Sequence, residues 1–233
     1  MPTLPDYSSL EKSLTTVFKN RDLLIQALTH RSFLNEHSDF PYPHNERLEF
    51  LGDAVLELIV TEHLFRNYPN PEGDMTTWRS ALVNAKTLAG IAHQLEFENY
   101  LLLSKGEAKD KSSKAREYIL ANAIEAIIGA IYMDGGIKAA KKFIDKHILS
   151  HLKFILETKL YIDPKSKFQE MAQEKFGTTP TYRVLTEEGP DHAKIFTVGL
   201  YLGKEQVAVG QGSSKQEAQV AAAEAGIEAK QWG

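Results

Sequence analysis

Four acidic residues and one amide are spaced so that they could hold a cation. In "HNERLEFLGDAVLELIV" (44–60), Leu48, Leu51, Val55, Leu56 and Ile59 recur at helical spacing, which predicts a helix with one face in a core. Glu46, Glu49 and Asp53 sit among them. A helix turns about 100° per residue, so Glu46 and Asp53 point within about 20° of each other, with Glu49 about 60° away. Like charges at this spacing repel, and a partly buried carboxylate is costly unless it is paired or binds a metal. The stripe therefore either faces solvent, is neutralised by a base such as Arg47, or surrounds a cation. Glu125 lies in the apolar run "AIEAIIGAI", with Asn122 three residues earlier on the same face. If that helix packs on the first, Glu49, Asp53 and Glu125 with the Asn122 amide oxygen make a hard-oxygen site of the kind that takes Mg²⁺ or Mn²⁺. His30 and His44 read as structural.

Bulk composition sets the frame for these residues. The 233-residue chain is 42% hydrophobic and 25% charged, the balance of an ordinary globular protein, and long enough for two domains. It has no cysteine, which excludes disulfides and thiolate metal sites and suits a reducing, cytoplasmic setting. No signal-like start and no unbroken apolar run of about 20 residues is seen, so no membrane partner is expected. Net charge is −4, so any nucleic-acid binding must rest on local patches.

The elements that must position the acidic residues are helical. "SSLEKSLTTVF" carries a capping-box pattern, Ser8 with Glu11. "RDLLIQALTHRSF", the opening stretch, "EGDMTTWRSALVNAKTLAGIAHQL" and "EYILANAIEAIIGAIYMDGG" follow, the last closed by two glycines. "SKGEAKDKSSKAR" is polar and reads as a mobile loop. The texture changes near "YIDPKSKF". Beyond it come a helix, three strand-like segments rich in Val, Phe, Tyr and Thr, and an alanine-rich helix. The expected organisation is a helical domain over 1–157, a linker over 158–162 and a small α+β module (α-β-β-β-α) over 163–233.

"NERLEFLGDAVL" (45–56) resembles the signature of bacterial ribonuclease III. "LTHRSF", "EGDMTTWRSALV", "REYILANAIEAIIGAIYMDGG" and "DPKSKFQE" resemble further family segments in family order, and "GQGSSKQEAQVAAAEAG" (210–226) resembles the last motif of a double-stranded RNA-binding domain. The resemblance implies an all-α endonuclease domain followed by that RNA-binding domain. It implies divalent-metal-dependent cleavage of double-stranded RNA to 5′-phosphate and 3′-hydroxyl ends with short 3′ overhangs, in ribosomal RNA processing and structured-RNA decay. It assigns Glu49, Asp53 and Glu125 to the metal-dependent catalytic centre, Glu46 and Glu72 to supporting acidic roles, and Phe50 to the interface of a homodimer. Paired Mg²⁺ ions about 4 Å apart would give the carboxylate stripe its reason.

One position departs from the family pattern: Asn122 stands where an aspartate is usual. An amide oxygen can still ligate Mg²⁺ or position its water, but brings no charge. Asn122 is then a variation that leaves an active enzyme, an introduced change, or the mark of altered metal demand. It also keeps open an alternative function, a catalytically weakened double-stranded RNA-binding regulator. In the C-terminal module, eight Lys/Arg stand against ten Asp/Glu. The resemblance places Gln169, Glu170 and His192 towards minor grooves, with Ser213, Ser214 and Lys215 meeting phosphates at a helix start. Lys165, Lys167 and Lys194 are further candidate contacts.

Overall fold

The computed structural model describes residues 4–110, 113–190 and 194–232. Contacts divide the chain between Tyr161 and Ile162 into two units. The first is helical: α1 (Ser8–Leu14), α2 (Arg21–Ala27), α3 (Arg31–Glu36), α4 (Glu46–Asn67), α5 (Glu72–Val83), α6 (Ala85–Gln94), α7 (Lys105–Lys109), α8 (Lys114–His147) and α9 (Leu152–Thr158). Its core is built on α4 and α8. Leu48, Val55, Leu56 and Ile59 from α4 are buried with Ile124, Ile127, Ile128 and Ile131 from α8, while Leu51 is partly buried beside them.

Local chemistry explains the breaks between these helices. Asn84 leaves helical geometry, and its side chain accepts the Thr87 N–H at 2.9 Å, which divides the expected long helix into α5 and α6. Gly136, at φ 71° and ψ −174°, breaks the line of α8 just after the apolar stretch. The capping box expected at Ser8 does not form. Asp6 accepts from the Ser8 N–H and hydroxyl, and Glu11 turns inward to accept the Phe18 N–H at 2.9 Å and pair with Arg21 at 3.3 Å. The expected mobile loop contains the short helix α7, and its residues 111–112 lie outside the described ones. The segment Lys114–Thr158 is long and apolar enough to cross a membrane by length and composition alone, although Glu125 interrupts its apolar run. However, 61% of its apolar window is buried within the unit, as in a core helix.

The stretch expected to begin a linker is packed. α9 extends to Thr158, Lys159 turns left-handed at φ 54°, and the Leu160 N–H bonds back to the Ile155 carbonyl at 3.1 Å. Tyr161 then meets Trp78 edge-on at 6.1 Å.

In the second unit, α10 (Pro164–Phe176) starts with Asp163 capping the Ser166 N–H and proline in the first turn. Strands β1 (Thr181–Glu188), β2 (Ile195–Leu202) and β3 (Glu205–Gly212) form an antiparallel sheet in that order, and α11 (Lys215–Ala229) closes the unit. Phe168, Ala172, Leu200, Ala222, Ala223 and Trp232 make its core. A Cβ on Gly210 would lie 2.1 Å from the Ala222 nitrogen, so β3 and α11 meet backbone to backbone.

Candidate active site and RNA interface

Helices α4 and α8 touch at two glycines. A Cβ built on Gly52 would lie 1.7 Å from the main-chain oxygen of Glu125, and one on Gly129 would lie 2.2 Å from the main-chain oxygen of Leu48. No side chain larger than hydrogen fits at either place. Gly52 directly precedes Asp53 and follows Glu49 by three residues, so the crossing carries both carboxylates to Glu125. Asn122 and Glu125 are the half-buried positions in the otherwise buried run 119–131 of α8. They share the face that Asp53 and Glu49 approach.

The electrostatics record this proximity. Burial, then the charges of Asp53, Glu49 and Glu57, push the Glu125 carboxyl from 4.5 up to about 7. Burial, Glu46 and Asp53 push Glu49 upward as well. Glu46 is partly neutralised by Arg31 at 3.2 Å rather than by Arg47, and the His44 Nδ1 lies 3.8 Å from its carboxylate. Glu57 is paired to Arg79 at 2.8 Å, and Arg79 also donates to the Thr61 hydroxyl at 2.8 Å. Glu72, at the start of α5, is exposed and accepts from the Thr76 hydroxyl. Its charge is not among those raising Glu125.

Among the described residues no three His, Cys, Asp or Glu side chains converge tightly enough to hold an ion unaided. The expected ligand set is brought to one crossing but not preassembled. The donor set still fits a hard divalent cation. It is all oxygen and carries excess negative charge, and its proton affinity is raised where a cation would lower it. Sequence reasoning passed over Glu57, Arg79 and the two glycines. Glycine inside an apolar helix, at a cost of about 1 kcal/mol against alanine, was the signal available for the crossing. It also passed over His147 and His151, four residues apart. α8 ends at His147, which lies against Phe143 at 4.8 Å, and burial pushes its imidazole down to about 4. His30 is structural as expected, since its Nδ1 accepts the Ser32 N–H at the start of α3.

Apolar surface lies on the outer side of α4. Phe50 is 81% exposed, and Leu58 and Phe65 fall within about 80° of it around the helix axis. A cavity of about 250 Å³ beside Phe65 is lined by Thr61, Leu64, Phe65, Glu72, Met75, Thr76 and Arg79.

In the second unit, Gln169 and Glu170 are exposed on α10. His192 lies outside the described residues. Ser214 caps α11 by accepting the Glu217 N–H at 3.1 Å. The Glu217 carboxylate accepts the Ser213 N–H and hydroxyl. Lys215 is ion-paired to Glu187 of β1 at 2.7 Å. Lys165 is held inside the unit, bonded to Gln219 at 2.7 Å and placed over the Tyr182 ring.

Residues 20–152 match the family described as ribonuclease-III-like, and residues 164–229 match the double-stranded RNA binding motif. The chain belongs to the ribonuclease III family. Ribonuclease 3 of Protochlamydia amoebophila is 44% identical over 92% of this chain and 88% of its own. Ribonuclease 3 of Carboxydothermus hydrogenoformans is 44% identical over 94% of each. Among solved structures, the nuclease domain of ribonuclease III from Campylobacter jejuni superposes with a TM-score of 0.55 at 42% identity, covering 62% of this chain and 97% of that one. That structure is described as flexible in a region involved in dimer formation. As a ribonuclease III, the present chain is an endoribonuclease that joins a helical nuclease domain to a double-stranded RNA-binding domain.

Proposed function

We propose that the protein cleaves both strands of an RNA duplex with Mg²⁺ as its cofactor, Mn²⁺ being able to substitute. The products would be 5′-phosphate and 3′-hydroxyl ends with short 3′ overhangs. The observation that carries this reading is Glu125. Its carboxyl is raised to about 7 by burial and by Asp53, Glu49 and Glu57 at the α4–α8 crossing. Glu49, Asp53 and Glu125 would hold the cation, with the Asn122 amide oxygen completing the set. Bound Mg²⁺ supplies an activated water and charge stabilisation for the leaving 3′ oxygen. Arg79 holds Glu57 out of that set by pairing with it. Glu46, whose charge reaches Glu49 despite its pairing with Arg31, and Glu72, at the start of α5, would play supporting acidic roles.

Two copies would act together, each cutting one strand. The exposed Phe50 supports this, since a large apolar ring on the surface calls for a cover. The 250 Å³ cavity bordered by Phe65 and Met75 is a suitable socket for the partner's ring. Gln169, Glu170, His192, Ser213, Ser214 and Lys215 would hold the duplex by its shape and phosphates. On the cysteine-free composition we place this work in the cytoplasm, on ribosomal RNA precursors and structured messages.

The alternative of a non-cutting regulator rests on Asn122 alone and is not favoured, because Glu49, Asp53 and Glu125 are all present at the crossing. The test is incubation of the protein and of Glu125→Gln with a long RNA duplex and millimolar Mg²⁺. Cleavage by the first and not the second is expected, with duplex binding by both. Persistent cleavage by Glu125→Gln would place the centre elsewhere.

A further inference from the structure

The lysine that should meet RNA phosphate is already bound to an anion of the same chain. Lys215 begins α11, and its ammonium lies 2.7 Å from a carboxylate oxygen of Glu187. Glu187 comes from β1, where it pairs across the sheet with Phe196 of β2. The same ammonium stands 5.5 Å from the Phe196 ring centre. Glu187 and Phe196, neighbours across the two strands, both hold the Lys215 ammonium, the first by charge and the second by its ring. Next to it, Glu217 occupies the Ser213 N–H and hydroxyl, two neighbouring donors that could serve a phosphate.

The two carboxylates differ in kind. Glu217 belongs to α11 itself and lies in its first turn, where a negative charge also offsets the helix dipole. Glu187 reaches in from a strand. Its side chain is 38% exposed and that of Lys215 is 56% exposed, so water and ions reach the pair and it can open. A phosphate arriving at Lys215 competes with Glu187 for the ammonium and, whether it replaces the carboxylate or shares the lysine with it, stays beside a like charge.

We propose that Glu187 is an internal competitor for the RNA backbone, occupying the anion position at Lys215 and so lowering the affinity and the salt sensitivity of duplex binding. This rests on the reading of the C-terminal domain as a duplex binder. A lysine neutralised in the free protein releases little counterion when phosphate takes over, because one anion replaces another. Isolated phosphates compete poorly with a tethered carboxylate. A duplex that engages several contacts at once displaces it.

The experiment is anisotropy binding of the full-length protein to a labelled RNA duplex of about 20 base pairs, slightly longer than the roughly 16 such a domain spans. It is run without divalent ions over a salt series. Glu187→Gln is expected to bind about two- to fivefold tighter, the range of an exposed ion pair. Its log–log salt slope should steepen by roughly 0.9, one phosphate contact's worth. In a Lys215→Met background, Glu187→Gln should change neither quantity. Glu187→Ser, with an equal thermal melt, guards against a folding artefact. Unchanged or weaker binding by both Glu187 variants would overturn the proposal and make Glu187 a support that orients Lys215. Failure of the unmodified protein to bind the duplex would instead overturn the RNA-binding reading itself, and this proposal with it.

Discussion

The main-chain oxygen of Glu125 lies 1.7 Å from where a side chain on Gly52 would begin. Together with the contact of Gly129 on the Leu48 carbonyl, it sets how close α4 and α8 come. It therefore sets how strongly Asp53 and Glu49 act on the Glu125 carboxyl.

Gly52→Ala should be severely destabilising, by ~3 kcal/mol or more, because backbone on a rigid helix must move. Gly129→Ala, facing the Leu48 carbonyl at 2.2 Å, should behave alike. Gly90→Ala, with nothing within 4 Å in α6, should instead stabilise by about 0.5–1 kcal/mol. Thermal melts of the three variants would check this, and a mild Gly52→Ala would mean the helices are not held in backbone contact.

Protonation and cation binding should oppose each other at Glu125. Its folded value near 7 lies above its ordinary 4.5, so the folded state binds the extra proton. That contribution to stability is full below 4.5 and is lost as pH rises through 7 in ion-free protein. Subsaturating Mg²⁺ should support cleavage that falls about tenfold per pH unit below 7, as expected when a proton must leave before the ion binds. Raising Mg²⁺ should move the midpoint to lower pH. A midpoint indifferent to Mg²⁺ would separate Glu125 from ion binding.

Asn122→Asp adds a carboxylate one helical turn before Glu125. It should lower the Mg²⁺ concentration for half-maximal cleavage by about tenfold, the scale on which groups at a metal site change affinity. It should also make ion-free protein less stable, because another like charge joins the set. A Mg²⁺ titration of cleavage beside an ion-free melt reads both effects. An unchanged titration would mean that position 122 takes no part in holding the ion.

Phe50→Ser should leave the fold intact, since the ring is 81% exposed, and shift the protein towards monomer in sedimentation. Cleavage should fall at low protein concentration and recover as concentration rises. A variant that sediments like the parent would place the interface elsewhere.

Much of this was written in local sequence. Residues 46–67 and 114–135 are helical because apolar residues recur at the helical period, and the C-terminal unit is α-β-β-β-α because the period shifts to two between Thr181 and Gly212. Asp163 with Pro164, and Ser214 with Glu217, mark helix starts that formed where they stand. The spacing of Glu46, Glu49 and Asp53 is enough to place them on one stripe.

What local sequence could not hold were relations between distant segments. Glu11 left its expected cap for Phe18 and Arg21, since a buried N–H and a cation outbid a helix end. Glu57 bears on Glu125, 68 positions away, only because two glycines let the helices meet. Lys215 reads in sequence as a phosphate contact, yet the packed chain sets Glu187 of β1 2.7 Å from its ammonium. Propensity and periodicity act over a few residues, so they decide elements and faces. Charge pairing and backbone contact depend on distance in space, and only the packed chain decides those.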